Sequence, residues 1–312
     1  MQKEIEDAVS QLETMVAKKP TLIQIRNNTP RIGNFTSSEI VALTKQGKKE
    51  GTFGVPALTY IEETNMERRL QRSISDECSA HALVWGKFLE SRVNELIGSE
   101  YSLCSSETIV HPSIPYWCGS PDGFKYDEGK TVIDDKCPLT LKSFCQLIDP
   151  LYHNLTGIDA INAIRNGFVD SNGLAHAAHK DGEKFYWQLV SNSVLSDSKF
   201  AELIVYMPYQ SELPAIQLSA LSVDRDQLQK HYWIANAAEG ELPYLIDGGY
   251  YKNINIIRFE VPQADKDLLT SFVLRAGEML IDNSATILAT REPKLQATII
   301  EGIKLIKILK TA

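Results

Sequence analysis

The sequence lacks any apolar run that could cross a membrane. A membrane-spanning helix needs about 20 apolar residues, and the apolar run at 201–207 is both short and interrupted by Glu202. The first residues, MQKEIEDAVSQLETMV, are charged and amphipathic, and they lack the apolar core of a secretory signal. We therefore expect a cytoplasmic protein that has no membrane partner.

Cysteine is scarce, and its five positions are widely spaced with no Cys-x-x-Cys pair. Zinc knuckles and iron–sulfur clusters need closely spaced cysteines, so the sequence argues against both. Free cysteine is among the most buried residue types. We expect reduced and mostly buried thiols at Cys78, Cys104, Cys118, Cys137 and Cys145.

An excess of positive charge is also missing. The chain has 32 Lys and Arg against 40 Asp and Glu, a formal charge of −8. This net negative charge argues against a protein that coats nucleic acid. It does not exclude a local basic groove, because the electric field at a site depends on how the charges are arranged. There are no repeats, low-complexity tracts or long linkers, and we expect one domain over residues 1–312.

The hydrophobic pattern changes period along the chain. Apolar residues three or four apart predict helices at 1–18, from Leu58 to about Ile97, and at 185–195, 226–236, 265–283 and 294–310. Ser37 or Ser38 is predicted to cap a helix that begins near Glu39. Short apolar runs predict strands between 103 and 137, at 201–207 and at 254–262. The mixture predicts an α/β or α+β fold, with a central mixed sheet flanked by helices.

The segment GSPDGFKYDEGKTVIDDKCP, residues 119–138, concentrates candidate chemistry. On an extended strand, Asp134 and Lys136 face one way and Asp135 the other, and a hairpin could return Asp122 to Asp134. Neighbouring carboxylates repel unless a cation lies between them, and Mg²⁺ and Mn²⁺ favour such oxygen ligands. The pattern suits metal-assisted phosphodiester hydrolysis. From these residues alone, a solvated turn with a surface Asp–Lys pair is the alternative.

The same residues resemble the PD-(D/E)xK nuclease superfamily, with Pro121-Asp122 and Asp134-Asp135-Lys136 as its two halves. Within it, the chain resembles the phage lambda exonuclease-like family, the YqaJ-type viral recombinases. Three further segments match that family's motifs in the right order: RIGNFTSSE at 31–39, ALVWGKFLE at 82–90 and FYWQLVSNS at 185–193. The resemblance covers roughly residues 25–210, with a weaker match at 250–285.

The resemblance implies a role for each matching residue. Asp122, Asp134 and the backbone carbonyl of Asp135 would hold the metal, with Glu90 assisting directly or through water. Lys136 and Gln188 would arrange the attacking water and the scissile phosphate.

The resemblance also implies a binding site for the DNA end. Arg31 and Ser38 would bind the terminal 5′-phosphate, with Ser120 nearby. Arginine suits bidentate recognition of phosphate, and a helix N-terminus suits an anion.

The activity implied is a Mg²⁺-dependent 5′→3′ exonuclease acting on double-stranded DNA ends by a two-metal mechanism, with Mn²⁺ as a substitute. It would leave 3′ single-stranded tails for phage-type recombination in a bacterial or phage-infected cell. A ring-shaped homotrimer threaded by DNA and a single-strand annealing partner are implied as well. The alternatives are an endonuclease or single-strand nuclease of the same superfamily, and a catalytically silent DNA-binding protein.

Several features depart from the family pattern. Asp134 stands where Glu is usual, and Phe185 stands where Tyr is frequent. Extra sequence near 149–184 and 214–252 and a helical extension at 286–312 are predicted additions. His176 and His179 lie in the first addition without an acid at suitable spacing, so we interpret them as solvated or lightly structural.

Two further groups are interpreted by residue type. Arg68, Arg69 and Arg72 form either a solvated helix face or a DNA-backbone contact. Trp85 and Trp117 are predicted to lie in the core.

Overall fold

The computed structural model describes residues 31–74, 80–103, 107–222, 225–238 and 240–281. The helices predicted at 1–18 and 294–310, and the extension predicted at 286–312, lie outside the described residues. So do Cys78 and Cys104.

Helices and strands alternate along the described ranges. These ranges contain eight α-helices: α1 (Val55–Leu70), α2 (His81–Leu96), α3 (Leu141–Tyr152), α4 (Gly157–Asn166), α5 (Gly182–Ser196), α6 (Leu213–Leu221), α7 (Arg225–Ala235) and α8 (Gln263–Gly277). They also contain ten strands: β1 (Phe35–Thr36), β2 (Tyr101–Leu103), β3 (Ile109–Val110), β4 (Trp117–Gly119), β5 (Gly123–Lys125), β6 (Thr131–Lys136), β7 (Phe168–Val169), β8 (Ala175–His176), β9 (Phe200–Tyr206) and β10 (Ile254–Glu260).

The central sheet has five strands in the order β10-β9-β6-β5-β2. Strands β6 and β9 are parallel, and the other neighbours are antiparallel. A smaller sheet has the order β1-β4-β3, and β7 and β8 form a separate hairpin. A mixed sheet with helices packed on it confirms the predicted α/β fold class.

The middle strands are apolar on both faces because helices cover both. Phe144 of α3 and Leu189 of α5 belong to the hydrophobic cluster that includes Val132 of β6. Trp85 and Leu89 of α2 belong to a second cluster, with Ile133 of β6. Trp85 and Trp117 are fully buried, as predicted.

Two local predictions were wrong. The helix expected from Leu58 to Ile97 is two helices, because α1 ends at Gln71, whose φ of 55° is left-handed and whose N–H caps the Glu67 carbonyl. Near Glu39 there is a single 3₁₀ segment, Ile40–Thr44, without a side-chain cap. The serines are engaged elsewhere: the Ser37 hydroxyl contacts Ser191, and Ser38 accepts from Arg31.

The first predicted addition contributes to the core. Helix α4 lies within 149–184 and buries Ala160, Ile161 and Ile164 in the main hydrophobic cluster. The single nuclease domain over 1–312 stays a prediction. None of the described helices is long and apolar enough to cross a membrane.

Candidate active site

The hairpin of β5 and β6 carries both halves of the Pro-Asp…Asp-x-Lys pattern. Gly123 pairs with Ile133, and the Asp122 N–H donates to the Ile133 carbonyl at 3.2 Å. A Cβ on Gly123 would meet the Ser102 carbonyl at 2.8 Å, so this close strand pairing needs glycine. The Asp122 Oδ2 then accepts the N–H of Asp135 at 2.7 Å. The turn therefore returns Asp122 to the end of β6, as the sequence predicted.

Asp134 lies on the face of β6 that meets α5. Its side chain is 1% exposed. Its Oδ1 accepts a hydrogen bond from Gln188 Nε2 at 2.7 Å, and its Oδ2 forms an ion pair with Lys136 Nζ. Gln188 is on α5, so one amide ties this helix to the acid.

The Lys136 ammonium marks a cation position. It contacts Asp134 Oδ2 and also donates to the Asp135 carbonyl at 3.1 Å. It also lies 5.0 Å from the centre of the Phe185 ring. Two oxygens predicted to bind a metal thus point at one positive charge. Phe185, which stands where Tyr is frequent in the family that the sequence resembles, places an aromatic face without a hydroxyl beside that charge.

The acids around this position carry shifted pKa values. Burial raises the pKa of Asp122 to about 7, and the Asp134 charge adds to the rise, while Lys136 and the Asp135 N–H oppose it. Burial raises the pKa of Asp135 to about 8, and Asp122 and Asp134 raise it further. One lysine does not balance these acids. An all-oxygen set with excess negative charge fits a hard divalent cation.

Of these acids, Asp135 has the carboxyl whose burial is least compensated by hydrogen bonds. The residue is 9% exposed. Within the described part of the chain, neither carboxyl oxygen has a hydrogen-bond partner. The resemblance implies a metal-binding role only for its backbone carbonyl, and no sequence pattern signals that the carboxyl is buried in this way.

Glu90 is an exposed residue of α2. Partial desolvation of its carboxyl raises its pKa and Asp134 adds to this, although Lys87 and Lys136 lower it. Glu90 also contributes to the raised pKa of Asp122, so it faces the same charges. Among the described residues, Asp122, Asp134 and Glu90 are not a group of ligand atoms all within 4.8 Å of one another.

Arg31, Ser38 and Ser120 meet in a second cluster. Arg31 Nη1 donates to Ser120 Oγ at 3.1 Å, and Nη2 donates to Ser38 Oγ at 3.4 Å. Thr108 extends the cluster through a 3.0 Å contact between its hydroxyl and that of Ser120. One guanidinium and several hydroxyls form a polar group suited to an anion.

This second cluster depends on the parallel pairing of β1 and β4, in which Phe35 lies opposite Trp117. Gly33 has a φ of 67°, and its carbonyl accepts from Arg68 Nε at 2.7 Å. Arg68 also donates to the Ile281 carbonyl, and Arg69 pairs with Glu62. Arg68 therefore anchors the loop that carries Arg31. The Thr108 contact had no sequence signal, because it depends on strand pairing.

The two histidines of the first addition differ. His179 is buried and contacts the Ser143 hydroxyl at 2.6 Å, which fits a structural role. His176 does have an acid beside it: its Nε2 lies 3.3 Å from Asp170 Oδ2. The expectation that His176 lacks an acid was wrong, because a turn, and not helical spacing, brings the two together.

No family model matches the chain, and no curated protein does. Among solved structures, the alkaline exonuclease LHK-Exo from Laribacter hongkongensis is similar at 15% identity and a TM-score of 0.45, over 88% of this chain and 96% of that one. A phage-related exonuclease from Haemophilus somnus 129PT is similar at 12% identity and a TM-score of 0.47, over 79% and 92%. A SOX–DNA complex is similar at 8% identity and a TM-score of 0.38, over 80% and 65%.

At these identities and TM-scores the similar structures carry no conclusion about activity, which depends on the residues of the site.

Proposed function

We propose that this protein is a Mg²⁺-dependent 5′→3′ exonuclease that degrades one strand from double-stranded DNA ends and leaves 3′ single-stranded tails. The observation that carries the proposal is the convergence at the end of β6. Asp122 contacts the Asp135 backbone, and the Asp134 carboxylate and Asp135 carbonyl share one cation position at Lys136.

Asp122, Asp134 and the Asp135 carbonyl are the residues that would hold the metal, with Glu90 assisting. A bound divalent ion supplies Lewis-acid activation of a phosphoryl oxygen and of water, and a pair of ions would serve both the entering and the leaving oxygen. Mn²⁺ takes the same oxygen ligands and would substitute for Mg²⁺.

Gln188 and Lys136 are the residues that would arrange this metal centre. Gln188 fixes the orientation of the Asp134 carboxylate by donating to Oδ1. Surrounding acids raise the pKa of Lys136 against its burial, so it stays an ammonium. Once released from Asp134, that ammonium is placed to contact the attacking water or the scissile phosphate.

An exonuclease must also recognise an end. Arg31, Ser38 and Ser120 form the site that we assign to the 5′-phosphate. Ser120 lies two residues before Asp122, which limits their Cα atoms to about 7 Å apart. A DNA end bound at Arg31 would thus have its first phosphodiesters near the carboxylates. This proximity favours end-directed cleavage over internal cutting.

The wider assembly is proposed from the family resemblance. A homotrimer that encircles DNA would concentrate basic side chains in a channel and leave an acidic exterior, which would reconcile DNA binding with the charge of −8. A single-strand annealing protein that coats the exposed tail is the expected partner.

The substrate test compares four DNAs: linear duplex with 5′-phosphate, linear duplex with 5′-hydroxyl, closed circular duplex and single strands. Each is incubated with the protein in Mg²⁺ or in EDTA. We expect degradation of the phosphorylated linear duplex in Mg²⁺ alone. Cutting of closed circles would instead indicate an endonuclease, and preference for single strands a single-strand nuclease. Binding without cleavage would indicate a silent DNA-binding protein.

The metal centre is tested by Asp122→Ala and Lys136→Ala. Both variants should lose cleavage by at least about a hundredfold, because each removes a group from the reacting centre. Lys199→Ala is the matched control, since Lys199 is an exposed lysine paired with Glu260 at 3.6 Å. Circular dichroism checks the fold. Full cleavage by a folded Lys136→Ala variant would refute the assignment of Lys136.

A further inference from the structure

A second group of metal-ligating side chains lies outside the candidate active site. His153, Asp170 and His176 each offer one ligand atom, and the three atoms lie within 4.8 Å of one another. Asp170 Oδ2 is 3.3 Å from His176 Nε2 and 3.9 Å from His153 Nδ1. Over the ranges that the structure describes, no other group of three or more His, Cys, Asp or Glu side chains is this compact.

The local backbone orients the Asp170 carboxylate toward the histidines. Asp170 lies in the turn between β7 and β8, where its Oδ1 accepts the N–H groups of Asn172 and Leu174, both at 2.9 Å. Only Oδ2 is left to face the imidazoles. The Asp170 side chain is 4% exposed, although the residue as a whole is half-buried. The carboxylate is therefore held in place before any ion binds.

The two histidines arrive from different elements. His153 follows the last residue of α3, and His176 ends β8. The His176 ring stacks on Phe168 with centroids 4.3 Å apart, and the His153 ring meets that of His176 edge-on at 4.6 Å. This packing restricts both imidazoles. Small rotations would bring the three ligand atoms to the spacing that a single ion requires.

The ligand types differ from those of the candidate active site. Two imidazole nitrogens and one carboxylate oxygen suit Zn²⁺ and similar transition metals, whereas Mg²⁺ prefers oxygen ligands alone. The active-site candidates Asp122, Asp134 and the Asp135 carbonyl offer only oxygen. The chain therefore holds two groups of opposite metal preference with no shared residue.

We propose that His153, Asp170 and His176 form a second divalent metal site that prefers Zn²⁺. The ion would clamp the β7–β8 hairpin to the C-terminal end of α3. Residues 177–181 connect this hairpin directly to α5, the helix that carries Gln188. The clamp thus stabilises the approach to the helix beside the catalytic acids. Three protein ligands leave at least one position open to water.

The experiment is calorimetric titration of the full-length protein with Zn²⁺, with excess Mg²⁺ present to fill oxygen-ligand sites. We expect one Zn²⁺ to bind. His153→Gln and His176→Gln should each weaken this binding by at least about tenfold, because each removes a ligand. Asp170→Asn should weaken it as well, while keeping the Oδ1 acceptor that the turn uses.

Two controls locate the ion. His81→Gln alters an exposed histidine that stacks on Trp233, and it should leave Zn²⁺ affinity unchanged. Asp122→Asn should also leave it unchanged. Equal Zn²⁺ affinity in wild type and in folded His176→Gln would overturn the proposal. Loss of the Zn²⁺ site in Asp122→Asn would overturn it too, since the ion would then belong to the acids of β6.

Co²⁺ provides a second readout that does not depend on activity. Co²⁺ with imidazole ligands should give visible absorption bands that disappear in His176→Gln and persist in Asp122→Asn. Zn²⁺ should also raise the melting temperature of the wild type more than that of His176→Gln, because an ion that binds only the folded state stabilises it. The absence of both differences would refute the site.

Discussion

The residue between the acid and the lysine of the Asp-x-Lys pattern is itself an acid. Asp135 places its carboxyl on the opposite face of β6 from Asp134 and Lys136, in a buried setting without a hydrogen-bond partner within the described ranges. The backbone carbonyl and the side chain of Asp135 therefore affect the cation position in different ways. The carbonyl faces the cation position, while the carboxyl adds negative charge behind it.

The Asp135 carboxyl should make stability depend on pH. Its pKa is about 8 in the folded state, against 3.8 ordinarily. The folded protein then keeps a proton that the unfolded chain releases, so the free energy of unfolding should fall from about pH 4 to about pH 8. Asp135→Asn removes this titration. At about pH 8 in EDTA, we expect the variant to be more stable by at least about 1 kcal/mol, or roughly 2 °C in melting temperature.

Asp267→Asn is the control for this measurement, because Asp267 is an exposed acid on α8. Its stability should follow the wild-type pH curve. If Asp135→Asn also follows the wild-type curve from acid to alkaline pH, burial does not raise the pKa of the Asp135 carboxyl. Added Mg²⁺ should recover stability in the wild type at alkaline pH, since a cation offsets the repulsion among the acids.

The 5′-phosphate assignment is tested at Arg31. Arg31→Ala should reduce the preference for 5′-phosphorylated over 5′-hydroxyl duplex about tenfold, because the lost guanidinium bonds recognise the phosphate. Basal cleavage should fall less than this preference. Initial rates on the two ends measure the ratio, with Arg69→Ala as the arginine control, since Arg69 pairs with Glu62 on an exposed helix face. A wild-type ratio in Arg31→Ala would remove the phosphate assignment.

At the scale of elements, a buried polar network joins three segments around the two clusters. The Ser191 hydroxyl on α5 contacts the Ser37 hydroxyl at 2.8 Å and accepts from Trp117 Nε1 at 2.8 Å. The network links β4, the residues after β1 and the helix of Gln188. A buried hydroxyl with two partners thus fixes the position of α5 relative to the segments that carry Arg31, Ser38 and Ser120.

Ser191→Ala should destabilise the protein by about 1–3 kcal/mol, because the Trp117 N–H loses its buried acceptor and the Ser37 hydroxyl keeps only the Cys118 carbonyl. Urea denaturation measures this cost. The comparison is Ser219→Ala on α6, where an exposed hydroxyl bonds the carbonyl one turn back and the effect should stay within about 0.5 kcal/mol. Equal stability of the two variants would show that water or rearrangement satisfies the network.

The loop that carries Arg31 depends on glycine. Gly33 has a left-handed φ of 67°, and a Cβ there would meet Arg68 Cγ at 2.7 Å. Gly33→Ala should therefore displace this loop and lower the 5′-phosphate preference in the same direction as Arg31→Ala. Gly173→Ala is the control. Gly173 has a φ of 81° but open space around it, so its alanine variant would have the backbone strain without a steric clash. An unchanged end preference in Gly33→Ala would show that the loop tolerates the clash.

At the scale of the whole molecule, the charge of −8 must be reconciled with binding to a polyanion. The trimer that we propose, with an inward basic channel, would do so, because local fields decide binding. Sedimentation equilibrium should give three times the 34.9 kDa of one chain. Binding to linear duplex should weaken steeply with added salt, as phosphate contacts require. A monomer that degrades DNA with unchanged activity would contradict the ring.

Much of the site could be predicted because its chemistry is local. The alternation of Asp134, Asp135 and Lys136 follows from the period of a strand, and a turn after β5 is enough to return Asp122. The strands at 131–137 and 201–207 could be predicted from continuous apolar runs. The break between α1 and α2 could not, since it depends on a left-handed Gln71 that hydrophobic period does not register.

By itself, the sequence determined the α/β class, the hairpin that joins two acids, and the motif order that resembles an exonuclease family. These depend on the period of side chains and on short turns. Only the tertiary structure decided that Arg31 meets Ser120, that the Asp135 carboxyl is buried without a hydrogen-bond partner among the described residues, and that His153 joins Asp170 and His176. Such contacts arise when strand pairing and helix packing bring distant segments together, which no local period encodes.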